Sequence, residues 1–303
     1  MSRRSLLRGT LRGVTPKIAA LILVTVLVLV VFGGTIAPQD PLHQDVAHLL
    51  QGPSGRHWFG TDYLGRDVFS RLLAGSRLSV VTALEAVAVA LVLGAVPALA
   101  GGVLGRVYDF VANRVADAVM TLPTLVFAIA LIAVLGNRLT PVMLAMGFLM
   151  SPQFFRVTRA ATVTLSGEQY VEAAELFGVS RSRTLLVHIA PKVLPTIVVT
   201  AATATATALL TVSSLMFLGI GVVPPAPTWG GVLSSDLNYL SQTPWAPLFP
   251  AAFIMLTAGS LNILADAARD AGRGGRVLVP AVPALATDPD DLEEAAHDRI
   301  SVA

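Results

Sequence analysis

Cysteine is absent from this chain. That excludes disulfides, thiolate catalysis, iron–sulfur clusters and Cys-type zinc sites together. The five histidines (His43, His48, His57, His188 and His297) are scattered without HExxH or comparable ligand spacing, so the chain is expected to hold no metal of its own. Charge is scarce as well. Charged residues make up 13% of the chain, against about 25% in soluble domains. The net charge of +2 gives no sign of nucleic-acid binding, and no such partner is expected. A phosphate-binding loop is missing too. There is no G-x-x-x-x-G-K-[ST], and the glycine-rich Gly272-Arg273-Gly274-Gly275-Arg276 lacks both the Lys-Ser/Thr pair and a preceding strand.

What the chain has is apolar length. Hydrophobic residues make up 54% of it, the mean hydropathy is +0.72, and several windows approach or exceed the roughly 20 residues that cross a bilayer core as a helix. The first run, 18–36, follows Arg3, Arg4, Arg8, Arg12 and Lys17. It is longer than a signal h-region and no A-x-A site follows, so it reads as a retained first span. Residues 38–77 read as a polar loop. Further spans are expected at about 78–101, 117–135, 142–157 (interrupted by Pro152), 193–218 and 248–268, with a loop at 102–115. The tail from 269 turns Gly/Pro-rich and then acidic, which reads as a solvated or disordered extension.

The cations set a topology. With the N-terminus inside, sixteen of the 21 lysines and arginines fall in cytosolic segments, and Arg56, Arg66, Arg71, Arg77 and Arg138 fall outside. That bias follows the positive-inside rule. The expected chain is all-α, with six spans, both ends cytoplasmic, and residues 1–17, the stretch 166–192 and 269–303 on the inner side.

The stretch 167–195, GEQYVEAAELFGVSRSRTLLVHIAPKVLP, is polar and helix-forming between apolar runs. Ser166 with Gln169 reads as a capping box, Gly178 as the left-handed residue that ends the helix, and Ser180 as the cap of a second short helix limited by Pro191 and Pro195. Tyr170, Ala173, Ala174 and Phe177 fall on one helical face, with Glu168, Glu172 and Glu175 largely on another. A helix resting on anionic headgroups usually presents lysine and arginine, whereas this one presents glutamates, which favours a protein partner.

These residues resemble a known family. Glu172-Ala173-Ala174, Gly178, and then His188-Ile189-Ala190-Pro191 resemble the EAA loop of permease subunits of ATP-binding-cassette importers. The segment from His57 to Asp67, containing Gly60-Thr61-Asp62 and Gly65-Arg66-Asp67, is similar to the GTDxxGRD segment of the dipeptide/oligopeptide/nickel permeases. The segment from Leu218 to Gly230 resembles that family's FLGLGVxPPxPxWG, and Asn262, Asp266, Arg269 and Asp270 fit its closing NxxxDxxRD. The resemblance runs from about residue 18 to 271 and points to the dipeptide-permease C type. Ala190 departs from the usual leucine, and Ser213-Ser214-Leu215-Met216 from a stretch that commonly begins with glutamate.

The resemblance implies a type I importer permease of the bacterial plasma membrane that binds no nucleotide. It would couple through Glu172, Ala173, Ala174, Phe177, Gly178, Arg181, His188 and Pro191 to one or two ATPase subunits, which hold the ATP and Mg. A second homologous permease and an extracytoplasmic solute-binding protein would complete the importer. Peptides, nickel chelates, opines and glutathione all fit as cargo. An ion-coupled carrier would be expected to show inverted repeats and midplane ionisable residues, and an intramembrane enzyme a nucleophile–base pair. Neither pattern is found.

Two features of the spans bear on a solute path. Thr196, Thr200, Thr203, Thr207, Thr211 and Ser214 fall on one helical face, either a mildly polar wall or a close-packing surface with hydroxyls bonded back to the helix. Glu85 is an acid inside a span, either tolerated near the interface or a contact for a cationic solute group, Arg77 or Arg138. The loop at 57–67 reads as a tight external turn, a seat for a binding protein, and Trp229 and Trp245 read as interfacial anchors.

Overall fold

The computed structural model describes residues 13–222 and 224–272. Among them the secondary structure is helical, apart from an isolated bridge between Thr61 and Asp67. In chain order the helices are α1 (Val14–Ile36), α2 (Val68–Leu104), α3 (Arg106–Met120), α4 (Thr124–Leu135), α5 (Leu139–Ser166), α6 (Gln169–Leu176), α7 (Arg181–Thr184), α8 (Ala190–Phe217), α9 (Trp229–Leu237) and α10 (Leu248–Gly272). A π-helical turn, Leu185–Ile189, joins α7 to α8. Among the described residues four helices are long and apolar enough to cross a membrane: α1, α2, the rod Arg181–Phe217 and α10. The expected third and fourth spans are not among them. The tail beyond 272 lies outside the described residues.

Several expected boundaries are corrected. The loop expected at 38–77 gives way to helix at Val68, because the Asp67 carboxylate caps the Ser70 N–H. The loop expected at 102–115 is mostly the amphipathic helix α3. The span expected at 117–135 is broken between α3 and α4, where Thr121 closes one helix and Pro123 precedes the next. At 12 residues, α4 spans only about 18 Å. The fourth run is not interrupted at Pro152, since α5 passes through it. Proline leaves the Phe148 carbonyl without its usual donor, and the Ser151 hydroxyl donates to that carbonyl at 2.7 Å.

Among the described residues helices α2 and α5 form the most extensive packing, and they run parallel. Ala86 and Val89 lie against Gly147, Gly94 against Ser151 and Phe154, and Gly102 against Thr162. A Cβ on Gly94 would stand 2.2 Å from the Ser151 carbonyl oxygen, so the backbones meet there without side chains between them. Parallel packing obliges residues 105–138 to return the full length of the pair. At one end, α3 pairs Asp109 with Arg159 and Asp117 with Arg156 of α5. At the other, Asn137 bonds Gly219 and Gly221 beyond α8.

Helices α1, α8 and α10 close the bundle around Val26, Leu72, Phe154, Ala204 and Leu209. The start of α1, the end of α5 and the elbow share one end of the bundle, the elbow end. The opposite end holds residues 38–67 and α9.

Replacing Gly94 by alanine is expected to cost about 1–3 kcal/mol through overpacking, read as a lower Tm of the detergent-solubilised protein. Gly34→Ala, with nothing within 4 Å of the new methyl, should leave Tm unchanged or raise it.

Candidate functional site: the elbow and the buried knot

The elbow begins differently from its sequence expectation. Ser166 ends α5 and donates its hydroxyl to the Thr162 carbonyl at 2.8 Å, so no Ser166–Gln169 capping box forms. Helix α6 starts from the Glu168 carbonyl, which accepts from Val171 at 2.9 Å. Its end is as expected. Gly178 has φ +78°, and Val179 donates to the Ala174 carbonyl five residues back, at 3.0 Å. Ser180 stands at the start of α7, but its hydroxyl makes no cap bond.

Pro191 and Pro195 do not end the second helix. Pro191 sits in the first turn of α8, and the π turn carries the helix into it, with Ala190 N–H reaching back to the Leu185 carbonyl.

The faces of α6 divide. Val171 is buried with Ala95, Leu185, Ile189, Val193 and Ile197, and Tyr170 packs beside it. Leu176 and Phe177 are 89% and 88% exposed, and Glu172 is exposed as well. Tyr170 and Phe177, expected on one face, differ in surroundings: Tyr170 packs against the bundle, while Phe177, whose N–H still closes the helical bond to Ala173, projects outward. Ala173 and Ala174 are half-buried, and Arg181, His188 and Pro191 are exposed. The structure thus gathers the elbow residues at one end of the bundle, and its outward knuckle is the acid Glu172 with two apolar side chains.

At the opposite end, residues 57–67 form a buried knot rather than an exposed seat. Thr61, Asp62, Arg66 and Asp67 are each buried. Asp62 accepts from the backbone N–H of Leu64 and Arg66 and from Arg66 Nε at 2.7 Å. Asp67 takes His57 Nδ1 at 3.0 Å and the Ser70 hydroxyl at 2.6 Å. The two acids serve separate partners and form no acid/base pair. Thr61 bridges the His48 carbonyl and the Gln51 N–H.

Gly65 has φ +73°, and a Cβ there would lie 1.9 Å from the Asp45 carbonyl oxygen. Gly60 packs in the same way against Gln51. These side chains build the loop, so any partner would meet other residues, such as the exposed Trp58. Trp229 is not an interfacial anchor either. It is fully buried, donating Nε1–H to the Leu72 carbonyl at 3.0 Å. Trp245 is half-buried over Gly52.

Sequence reading missed Asp236 on α9. It is buried, and its Oδ2 has no hydrogen-bond partner among the described residues. Burial, and then the Asp62 charge, push its pKa up to about 7, against the opposing pull of Arg71. Arg71 donates to the Pro41 carbonyl and lies 3.5 Å from Asp62.

The threonine stripe bonds back along its own helix. Thr200, Thr203, Thr207, Thr211 and Ser214 all donate to carbonyls one turn earlier. Thr196, Thr207 and Ser214 are exposed, Thr203 and Thr211 half-exposed, and Thr200 buried. The hydroxyls are internally satisfied, and the face they line stays open. Glu85 is exposed near the middle of α2 and makes no ion pair with Arg77, Arg138 or any other described residue.

Residues 90–271 match the sequence profile of a family described as binding-protein-dependent transport system inner membrane component. The chain is 36% identical over 255 residues, 84% of each chain, to the dipeptide transport system permease protein DppC of Alkalihalophilus pseudofirmus. Over 265 residues, 88% of each chain, it is 36% identical to the probable D,D-dipeptide transport system permease protein DdpC of Escherichia coli K12. Over 254 residues, 84% of each chain, it is 36% identical to a glutathione transport system permease protein, GsiD, of Escherichia coli.

The raised pKa of Asp236 has a stability consequence. Its folded value lies above its unfolded one, so stability falls as pH rises from about 4 to about 7 and is level beyond. Each tenfold change in proton affinity between the two states is worth on the order of 1.4 kcal/mol, so the loss is about a few kcal/mol at most. Thermal unfolding of the solubilised protein across pH 4–8 checks this, and Asp236→Asn should flatten that slope while Asp40→Asn leaves it.

Proposed function

Given that this chain belongs to the family of binding-protein-dependent transport system inner membrane components, we propose that it is one of two homologous permeases lining the path of a peptide importer driven by ATP hydrolysis. The carrying observation is the division of α6. One face is set into the roots of α2, α5 and α8, and the other presents Glu172, Leu176 and Phe177 outward. Exposed leucine and phenylalanine beside an acid suit a groove on a protein better than anionic lipid.

Six crossings fit the packing. Because α2 and α5 run parallel, α3 and α4 together make the third crossing despite their break, and α5 makes the fourth. The elbow, the start of α1 and the end of α10 then share the cytoplasmic side. The outer knot and α9 face the extracytoplasmic side, where a solute-binding protein delivers cargo. The chain itself catalyses nothing. ATP and Mg belong to one or two ATPase subunits seated on the elbow.

Di- and oligopeptides are the cargo best supported by the relatives' names, two of them dipeptide permeases and one a glutathione permease. Nickel chelates and opines use the same machinery. The open, weakly polar stripe from Thr196 to Ser214 supplies a wall along which a polar backbone slides without a fixed charge to hold it. Glu85 is an exposed acid available to the ammonium group of a peptide.

The cysteine-free chain makes the orientation testable. In intact cells, Trp58→Cys should react with an impermeant maleimide and Phe177→Cys only after lysis. Labelling of Phe177→Cys from outside would overturn the topology. In the assembled complex, Glu172→Lys and Phe177→Asp should each reduce ATPase co-purification about tenfold or more, the scale of a lost interface anchor, and undiminished recovery in both would remove the elbow as the docking element.

A further inference from the structure

An open pocket of about 580 Å³ lies between α4 and α5, away from the elbow and the knot. Phe127, Leu144 and Phe148 wall it, with the two phenylalanine rings 6.3 Å apart. Arg138 and Thr140, at the start of α5, complete its rim. The volume is in the range of sites that hold small ligands. Arg138 is exposed and makes no ion pair among the described residues.

The register of α2 against α5 brings an acid to the same pocket. Val89 of α2 lies against Gly147 of α5. Glu85 stands one turn before Val89, and Leu144 one turn before Gly147, so on parallel helices the acid and the pocket wall are level and adjacent. Both are exposed. A carboxylate facing lipid in mid-span costs about 2.5–3.5 kcal/mol, so this side of the pair suits a water-filled cavity. From Leu144 back to Arg138 the helix rises about 9 Å. An extended peptide advances about 3.3–3.6 Å per residue, and two or three residues cover that interval.

We propose that Arg138 and Glu85 bracket a reception site for a zwitterionic di- or tripeptide. The Arg138 guanidinium and the Thr140 hydroxyl donate to the peptide carboxylate, Glu85 accepts from its ammonium group, and an apolar side chain rests on Phe127, Leu144 and Phe148. Each end of the site carries the charge that the opposite end of a peptide requires, and the wall between them is apolar. The inference rests on the chain being a peptide-importer permease and adds where the two termini are held.

The absence of cysteine makes the pocket addressable. In the assembled importer in lipid, with the solute-binding protein omitted, Leu144→Cys should react with a maleimide, and L-alanyl-L-phenylalanine should protect it. N-acetylation or C-amidation of that peptide should each weaken protection about tenfold, the scale of a charged hydrogen bond. Adding Glu85→Gln should bring the free and N-acetylated peptides within about twofold of each other, and adding Arg138→Gln should do the same for the free and amidated ones. A merely structural role would weaken both members of each pair together. A cysteine that does not react, sealed by lipid or by the second permease, overturns the site, and so does protection in the parent that ignores both blocking groups. Uptake by the parent in proteoliposomes, with binding protein added, separates this from the wider reading. Import of the dipeptide beside indifferent protection removes the site alone, whereas a parent that holds its ATPase yet imports no peptide removes the peptide reading and the site with it.

Discussion

The parallel contact of α2 with α5 is the constraint on which the architecture depends. Helices in lipid gain no hydrophobic free energy from meeting, so they associate by backbone approach and dispersion. Gly94 and Gly147 permit that approach where side chains would prevent it. Once the two helices run side by side in the same direction, the segment between them has to travel back. A stretch broken at Thr121–Pro123 makes that return as two short helices. The ends of α2 and α5 then lie together and leave a socket that Val171 and the root of α8 fill. The elbow's position follows from that contact at some distance along the rods.

The opposite end solves a different problem. Residues 38–67 are rich in polar groups and sit over the bundle, where buried charges require partners. Asp62 and Asp67 meet that requirement by accepting from backbone N–H groups as well as from Arg66, Ser70 and His57. Asp236 is the exception, and its raised pKa records the cost: with no donor at Oδ2 and Asp62 nearby, the neutral form is favoured. The charges of the knot tie the loop before α2 to the start of that helix.

What the sequence made legible was local or compositional. Apolar length located α1, α8 and α10 closely, the glycine at 178 marked the end of α6, and the order of motifs gave the family. What it hid was decided by tertiary contact. The start of α2 at Val68 needed the Asp67 cap and the buried knot, neither of which shows as hydropathy. The amphipathic α3 was overlooked because its charges, Arg106, Asp109 and Arg114, read as loop, and the pairing of Asp109 with Arg159 on α5 is a tertiary contact. The capping box at Ser166 was a sound local signal defeated by the preceding helix, which ran on and used the hydroxyl first. Helical projection put Tyr170 and Phe177 together, but only Tyr170 lies against the bundle, which a projection of one helix does not contain. Val171 carried no motif, yet with Tyr170 it supplies the buried face of α6.

Prolines in the long helices show how the same defect is used in opposite ways. At Pro152 the Ser151 hydroxyl donates to the carbonyl that proline leaves free, and α5 runs through without interruption. At Pro97 the orphaned carbonyl is that of Leu93, and the Pro97 carbonyl itself accepts from the distant Tyr108 hydroxyl, which ties α3 to α2 near the elbow end. At Pro191 no hydroxyl stands ready, the helix widens into a π turn, and Thr184 Oγ1 just before it is buried without a partner. A bundle that has to transmit motion needs most of its rods stiff and a few places soft. Repair at Pro152 keeps α5 continuous, whereas Pro191 and Pro195 leave two carbonyls near the root of α8 without their α-helical donors beside the elbow.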